Sequence, residues 1–290
     1  MDACSVRPAK GEQSLLNLPT TAYDMTSVKA AWLKDKAGWW KAEGKEAWAE
    51  YSKASNATTA PEVSSFGMHA EAAAYQGRPL RILCLHGMGG NANHMTTDQL
   101  SQLKEYCGPL VEFIGVDAPH PMGGASGAKG ESIGTACAWF PQTGGDWAQY
   151  WARSLQTLQD AIETHGPFDG LLGFSMGAAC APLLLAHVPE GTFEFMIVCD
   201  GYPPGKDGEA QFLLDALERQ RPIKTPTLFT MSGEPQWAMV GEMVTAYFDP
   251  AVIEVRKHEG WHDVPRDEES LGQMAAFLLN QARRMGRAGI

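Results

Sequence analysis

A serine lies between two glycines at residues 173–177, which read GFSMG. The strand-like segment 169–172 precedes this pentapeptide, and the helix-like segment 178–187 follows it. At a strand-to-helix turn, G-x-S-x-G forms a nucleophile elbow, a strained turn that lifts the serine hydroxyl above the end of a sheet. The pentapeptide alone also occurs in ordinary turns, but this position in the chain predicts that Ser175 is a nucleophile.

A glycine-rich segment after the first apolar run supplies candidates for an oxyanion hole. Residues 84–91 read CLHGMGGN. In sites with a nucleophile elbow, a loop at this place donates one backbone N–H to the oxyanion, and the residue after the nucleophile donates another. The donors would be Met88 and Met176. A dinucleotide-binding loop is disfavoured, because the glycines at 87, 89 and 90 do not fit G-x-G-x-x-G.

A histidine is needed as the general base, and the chain contains eight. The order serine, acid, histidine places the base late in the chain, after the final strand. Residues 258–265, which read HEGWHDVP, lie in that loop. We predict His262 as the base because it is further into the loop, whereas His258 adjoins the strand end and is predicted to be structural.

The elements that must position these residues begin at residue 80. Six short apolar runs alternate with segments of helical period, which predicts a parallel sheet covered by helices on both faces. Asp146 is placed to cap one helix, and a second helix is predicted from 267 to about 285 because its acidic start and basic end suit the helix dipole. The predicted strands are Leu80–Leu85, Val111–Val116, Leu171–Phe174, Phe193–Cys199, Thr227–Met231 and Val252–Val255.

Residues 1–79 have a different composition, dominated by Ala, Lys, Glu and Trp, with a Ser/Asn/Thr/Pro-containing stretch at 52–65. We predict a helix-prone, Trp-rich N-terminal extension and linker over 1–79 and a catalytic domain over 80–290. The tryptophans are expected to pack on that domain. A partner-binding or lid element is the alternative, since aromatic-rich helices also anchor interactions.

Four segments together resemble the FSH-type serine hydrolases of the α/β-hydrolase fold. They are 81–87 (RILCLHG), 117–120 (DAPH), 166–178 (GPFDGLLGFSMGA) and 260–265 (GWHDVP), and the similarity covers about residues 80–282. The resemblance implies an α/β fold with a mainly parallel six-stranded sheet. It also implies hydrolysis of acyl esters or thioesters, without a metal or organic cofactor, with relatives that release acyl chains from carrier-bound products.

The chain departs from this family at the triad acid. The family pattern after the penultimate strand is similar to G-E-x-D, but residues 233–236 read GEPQ, so Gln236 stands at the expected aspartate. A neutral amide cannot stabilise the imidazolium that forms when the histidine accepts the serine proton. The acid must therefore come from another position, or the site is weakened.

Three carboxylates are candidates for the missing acid. Asp200 ranks first, since it ends a predicted strand at the other place from which α/β-hydrolases supply the acid; it is also explained as a turn residue. Glu234 ranks second and requires a turn that differs from the family's. Asp263 is adjacent to His262 but is expected to point away.

Two functions of different classes follow. In the first, Ser175 attacks an ester or thioester carbonyl, His262 accepts and returns the proton, and water cleaves the acyl-enzyme. A transferase would differ only in the acceptor that replaces water. In the second, the chain is a catalytically weakened hydrolase that acts as a binding or scaffold protein, as Gln236 and the Trp-rich extension suggest.

Composition and charge limit the partners. The 290 residues are 44% hydrophobic and 20% charged, which is typical of a globular protein. Residues 80–290 contain fourteen Lys and Arg against twenty-five Asp and Glu, which accounts for the net charge of −11 and disfavours nucleic acid. A small acyl ester or thioester is the expected partner. Aromatic and Met side chains on predicted loops at the sheet edge weakly favour medium or long acyl chains, with ordinary packing as the alternative: Met122, Trp139, Phe140, Tyr202 and Trp237.

Hydropathy and cysteine usage predict the compartment. No apolar run reaches the roughly 18 residues that a membrane span requires, and the first residues do not resemble a secretory signal. Six cysteines without CxxC or metal-ligand spacing fit buried free thiols in a reducing compartment. The sequence therefore predicts a cytoplasmic protein of undetermined oligomeric state.

Overall fold

A six-stranded parallel sheet forms the centre of the fold. The computed structural model describes residues 67–126, 132–141, 145–204 and 210–287, so the predicted helices within 1–66 lie outside the described residues. The sheet order is β2-β1-β5-β6-β7-β8, and every neighbouring pair is parallel. Its strands are β1 Leu80–Leu85, β2 Val111–Val116, β5 Gly170–Phe174, β6 Phe195–Cys199, β7 Thr227–Ser232 and β8 Ile253–His258. All six predicted strands are confirmed.

A short antiparallel hairpin, made of β3 (His120–Ser126) and β4 (Ser132–Ala138), lies outside the main sheet. This hairpin was not predicted from the sequence. Both strands contain glycine, and β3 contains proline, which lowers their apparent strand propensity. Their register also shifts twice, as in a bulged hairpin.

Helices connect the parallel strands. Asp146 caps α4 by accepting a hydrogen bond from the Gln149 backbone at 3.1 Å, as predicted, and Asp267 caps α8 by accepting one from the Ser270 backbone at 2.9 Å. The α-helices are α1 Met68–Ala73, α2 Ala92–His94, α3 Ser101–Cys107, α4 Trp147–His165, α5 Met176–Leu185, α6 Gln211–Gln220, α7 Pro235–Thr245 and α8 Glu268–Arg284. A π-helix, Met95–Gln99, and a 3-10 turn, Gly108–Leu110, flank α3.

The core lies on both faces of the sheet. Along β1, Leu83 and Leu85 pack into one apolar cluster, while Ile82 and Cys84 pack into the other. All four side chains are fully buried. The central strands β5, β6 and β7 are buried along their whole length, because neither of their faces meets water.

The described fold begins before the predicted domain boundary at residue 79. Ala72 and Tyr75 are buried in the same cluster as β1 and α8. The Tyr75 hydroxyl donates to the carbonyl oxygens of Arg78, at 2.9 Å, and Arg287, at 3.1 Å. The segment around α1 therefore packs against the last helix; the division at residue 79 stays a prediction.

Asp169, just before β5, joins the two ends of the described fold. Its carboxylate is 4% exposed and accepts hydrogen bonds from the Arg78 guanidinium at 3.0 Å and the Arg81 backbone at 2.9 Å, and it also pairs with Arg287. Burial alone raises the pKa of this carboxyl, but the hydrogen bonds and the two guanidinium charges outweigh burial and hold the pKa below its ordinary value.

Replacing Asp169 with asparagine should lower the free energy of unfolding by about 2 kcal/mol at pH 7. Because the folded pKa is depressed, the stabilisation is present above the ordinary carboxyl pKa and is lost as pH falls through the folded value. The deficit of the variant relative to the native chain should therefore shrink on acidification, which urea unfolding at several pH values would measure.

Glu112→Gln is the matched control for that measurement. It removes a carboxylate that pairs with Arg81 at 3.1 Å but is 53% exposed. Surface pairs of this kind contribute at most about 1 kcal/mol. Equal losses in the two variants, or an Asp169→Asn deficit that persists unchanged at low pH, would contradict the assigned role of Asp169.

Five cysteines of the described residues, at 84, 107, 137, 180 and 199, are buried free thiols. Burial raises the pKa of the Cys107 and Cys199 thiols to about 12.

Among the described residues, none of the helices combines the length and the apolar character that crossing a membrane requires.

Candidate active site

Ser175 lies at the sharp turn between β5 and α5. Its φ of 54° is rare for a residue with a side chain, as the elbow geometry requires. Two glycines allow the turn: a Cβ at Gly177 would clash with the Leu85 carbonyl, and one at Gly173 would clash with the Gly177 backbone. The tight packing of strand, turn and helix therefore holds the Ser175 side chain in place.

Asp200 lies at the matching position on the neighbouring strand. Phe174 and Cys199 are register partners on β5 and β6, so Ser175 and Asp200 leave adjacent strands at the same level. Asp200 also has a positive φ, 50°, which Asp tolerates better than most residues. Its side chain is fully buried. The carboxylate thus reaches the C-terminal edge of the sheet beside the elbow.

His262, in the loop between β8 and α8, lies between these two side chains. Its Nε2 is 2.7 Å from the Ser175 Oγ, and its Nδ1 is 3.3 Å from the Asp200 Oδ2. The ring is 20% exposed, whereas the carboxylate is not exposed. The three groups form one line from a hydroxyl through an imidazole to a buried carboxylate.

The surroundings of Asp200 favour its ionised form. The Ser232 backbone donates a 2.6 Å hydrogen bond to Oδ1, and the His258 Nε2 is 3.8 Å from the same oxygen. Burial alone raises the pKa of this carboxyl; the neighbouring His258 and His262 rings and the Ser232 backbone hydrogen bond outweigh it and hold the pKa below the ordinary value. Asp200 is therefore a carboxylate at neutral pH.

The loop after β1 packs against the nucleophile. A Cβ at Gly87 would lie 3.2 Å from the Ser175 Cβ, so Met88 follows a residue in contact with the elbow. Met176 is the first residue of α5, where helix N–H groups have no intrahelical acceptor. Gly87 thus packs against the elbow, and Met176 follows Ser175 directly in the chain; the role of Met88 and Met176 in an oxyanion hole stays a prediction.

His86 fixes the shape of that loop and is not free to act as a base. Its Nδ1 lies 2.7 Å from the Gly87 carbonyl, and its Nε2 accepts from the Ala118 backbone at 3.0 Å, which assigns the proton to Nδ1. Burial lowers its pKa and favours the neutral ring. Trp139 donates its indole N–H to the His86 carbonyl at 2.9 Å and ties the loop to the hairpin.

The other candidate acids lie in different contacts. Asp263 accepts from the Val264 backbone at 2.8 Å and lies 3.3 Å from the Arg266 guanidinium, as expected for a side chain that points away from His262. Glu234 is the N-cap residue of α7, and its backbone N–H donates to the Ser232 hydroxyl at 3.2 Å. The Gln236 side chain lies outside the described residues.

Aromatic rings surround His262. Trp237 stacks on the imidazole with a centroid distance of 3.5 Å and an interplanar angle of 9°, and Phe174 contacts the ring at 5.2 Å. Tyr202 is 6.4 Å from Trp237. Trp139 and Phe140, in contrast, are 0% and 2% exposed, so the packing alternative applies to those two residues.

Exposed apolar side chains lie on the loops after β1 and β8 and on strand β3 of the hairpin. Trp261 is 76% exposed, Met88 is 48% exposed and Met122 is 40% exposed. Within the part of the chain that the structure describes, no three His, Cys, Asp or Glu side chains lie close enough to hold a metal ion.

Sequence reasoning missed two contacts of the site. The Ser232 backbone on Asp200 and the Trp237 stack on His262 depend on how the ends of β7 and α7 meet the β8 loop. The spacing of apolar residues along the sequence cannot reveal a contact between segments that are far apart in the chain. The one available signal was an aromatic residue directly after the family's acid position.

The parallel sheet, the strained serine turn and the imidazole beside it define a serine hydrolase of the α/β-hydrolase fold. A model of the Serine hydrolase (FSH1) family matches residues 75–274. The chain belongs to that family.

Curated relatives are similar over the same part of the chain. Esterase FPY3 of Fusarium mangiferae is 30% identical over 201 residues, which are 64% of this chain and 89% of that protein. Esterase OVCA2 of Homo sapiens is 28% identical over 212 residues, 65% of this chain and 90% of the relative. Both relatives carry the word esterase in their names.

The chain is also similar to part of one longer protein and, at lower sequence identity, to a solved structure. Rhodanese-like domain-containing protein 6 of Arabidopsis thaliana is 27% identical over 234 residues, which are 69% of this chain but 39% of that protein. This chain thus matches well under half of that relative. Among solved structures, acyl-protein thioesterase 2 of Zea mays is 18% identical with a TM-score of 0.46, over 71% of this chain and 95% of the other.

Proposed function

We propose that the chain hydrolyses carboxylic esters or thioesters through a Ser175-His262-Asp200 triad and an acyl-enzyme intermediate. The observation that carries this proposal is the line of contacts at 2.7 and 3.3 Å that joins a strained serine, an imidazole and a buried carboxylate. Nucleophile, base and orienting group lie in the order and at the separations that nucleophilic catalysis needs.

In the first half-reaction, the Ser175 Oγ attacks the substrate carbonyl carbon while its proton passes to the His262 Nε2. The oxyanion forms beside the backbone N–H groups of Met88 and Met176, which stabilise the developing charge. Asp200 stabilises the imidazolium through Nδ1. Collapse of the tetrahedral intermediate breaks the bond to the alcohol or thiol, which takes the proton from Nε2, and leaves an acyl ester on Ser175.

In the second half-reaction, water replaces the leaving group. His262 accepts a proton from water, and the resulting hydroxide attacks the acyl carbon. The Ser175 Oγ then leaves with the proton held on Nε2, which releases a carboxylic acid and restores the enzyme. Atoms balance without a cofactor: one water enters, and one acid and one alcohol or thiol depart.

The scaffold alternative rests on Gln236, which replaces the acid that the family pattern expects. Asp200 lies beside Nδ1 of His262, and this position supports the enzyme over the scaffold. The apolar loop side chains around the site support an acyl substrate over a highly charged one.

The full chain should hydrolyse p-nitrophenyl esters and acyl thioesters of matched acyl length, and an alkyl fluorophosphonate should label it. Turnover should exceed, by several orders of magnitude, the roughly 10³-fold acceleration over the uncatalysed rate that binding and an oxyanion hole alone supply. Heat-denatured chain is the control. Absence of both turnover and labelling in the folded chain would contradict the proposal and favour the scaffold.

A further inference from the structure

A second histidine lies against the buried carboxylate of the site. His258 ends β8, and its side chain is 2% exposed. Its Nε2 is 3.8 Å from the Asp200 Oδ1, on the opposite oxygen from the one that faces His262. Asp200 thus lies between two imidazoles.

The strand register places His258 there. Ser232 and His258 are Cα partners on β7 and β8, and the Ser232 backbone donates to the same Asp200 oxygen at 2.6 Å. The Ser232 hydroxyl donates to the Gly260 carbonyl at 2.8 Å, which ties the following loop to β7. Hydrogen bonding therefore fixes both strand ends around the carboxylate.

The N–H group of a neutral His258 ring has one favourable acceptor, the carboxylate of Asp200. Neither of its ring nitrogens has a hydrogen-bond partner among the described residues. Gly260 closes the Nδ1 side, where an added Cβ would lie 3.0 Å from that nitrogen. An unpaired buried N–H is costly, and a carboxylate oxygen is a strong acceptor. Nε2 is 3.8 Å from the Asp200 Oδ1, so a hydrogen bond between them requires an approach of about 0.8 Å.

We propose that His258 is a positioning residue for the triad: it donates its Nε2–H to Asp200 Oδ1 and so keeps Oδ2 directed at the Nδ1 of His262. This inference rests on the proposed function. Two donors on Oδ1 prevent the carboxylate from rotating about its Cβ–Cγ bond. The His258 ring beside Asp200 also helps to hold the pKa of that carboxyl below its ordinary value, against the effect of burial. A single partner on Oδ1, the Ser232 N–H, would leave that orientation less constrained.

Two amide variants of the full chain test the proposal, because they differ in reach and not in chemistry. His258→Gln places an amide donor near the position of Nε2 and should keep kcat within about threefold of native. His258→Asn places its amide near the position of Nδ1 and should lower kcat by roughly 10- to 100-fold, the scale of a lost hydrogen bond to a charged group. KM should change little in either variant, since substrate does not touch His258.

A double variant separates positioning from a structural role. In the Asp200→Asn background, His258→Asn should cause no further loss of kcat, because the group through which it acts is already gone. An equal loss in both backgrounds would overturn the proposal. So would equal activity of His258→Gln and His258→Asn. A loss in His258→Gln as large as that in His262→Ala would instead make His258 the base.

Proton NMR supplies a readout that needs no substrate. The native chain should show a low-field resonance for the Nδ1–H of His262, which Asp200→Asn removes. His258→Gln should retain this resonance, and His258→Asn should shift or broaden it. An unchanged resonance in His258→Asn would overturn the positioning role even if the native chain proved inactive, whereas inactivity alone would overturn only the proposed function.

Discussion

Ser175→Ala should abolish fluorophosphonate labelling and reduce kcat by about 10⁶-fold, the scale observed when a triad nucleophile is removed. The hydroxyl is the one group of the site that can form the acyl-enzyme, and its Oγ lies 2.7 Å from the proposed base. The fold should survive, since alanine removes a single oxygen from a side chain that is 9% exposed. Steady-state turnover of a p-nitrophenyl ester, together with intact-mass detection of the label, would measure both effects.

His262→Ala is the matched control for this experiment. It removes the base but keeps the nucleophile, so turnover should fall by a similar factor because triad members act as a unit. Labelling should become slow and should still map to Ser175. Labelling of the Ser175→Ala chain at the native rate would assign the nucleophile to another residue and contradict the elbow interpretation.

The sequence predicted the main sheet because its central strands are buried on both faces. The run Leu80–Leu85 contains a single polar residue, Arg81, so its apolar character is still clear. The β3–β4 hairpin was not predictable in the same way: its strands contain glycine and proline, and they pair with each other outside the main sheet. Local composition there points to a loop, and the strand pairing depends on tertiary context.

The residues of the site were likewise predictable only where a local sequence pattern determines their position. The G-x-S-x-G turn is a local backbone requirement, so Ser175 can be found from five consecutive residues. Asp200 was ranked first among three acids by its place at a strand end, yet the sequence left its alternative as a turn residue open. The Trp237 stack and the Ser232 hydrogen bond arise where three chain segments meet, and no local pattern encodes their distances.

Asp200→Asn should keep the fold and reduce kcat by about 10⁴-fold, the scale observed when a triad aspartate becomes an amide. An asparagine can present its NH₂ group to Nδ1 of His262, which would then hold the imidazole in the wrong tautomer to accept the serine proton. Glu234→Gln is the control, because Glu234 is the alternative acid and its change should be mild. If Glu234→Gln lowered activity strongly and Asp200→Asn did not, the triad acid would be Glu234, in the turn after β7.

Gln236→Asp then distinguishes an enzyme with a relocated acid from a degraded site. If Asp200 already serves His262, a carboxylate restored at the family position should add little, because Nδ1 has a single proton to donate and Asp200 Oδ2 lies 3.3 Å away. In the Asp200→Asn background the same change should recover activity, provided that an aspartate at 236 reaches the ring. A large gain in the otherwise native chain, from negligible starting activity, would contradict the working triad and favour the scaffold.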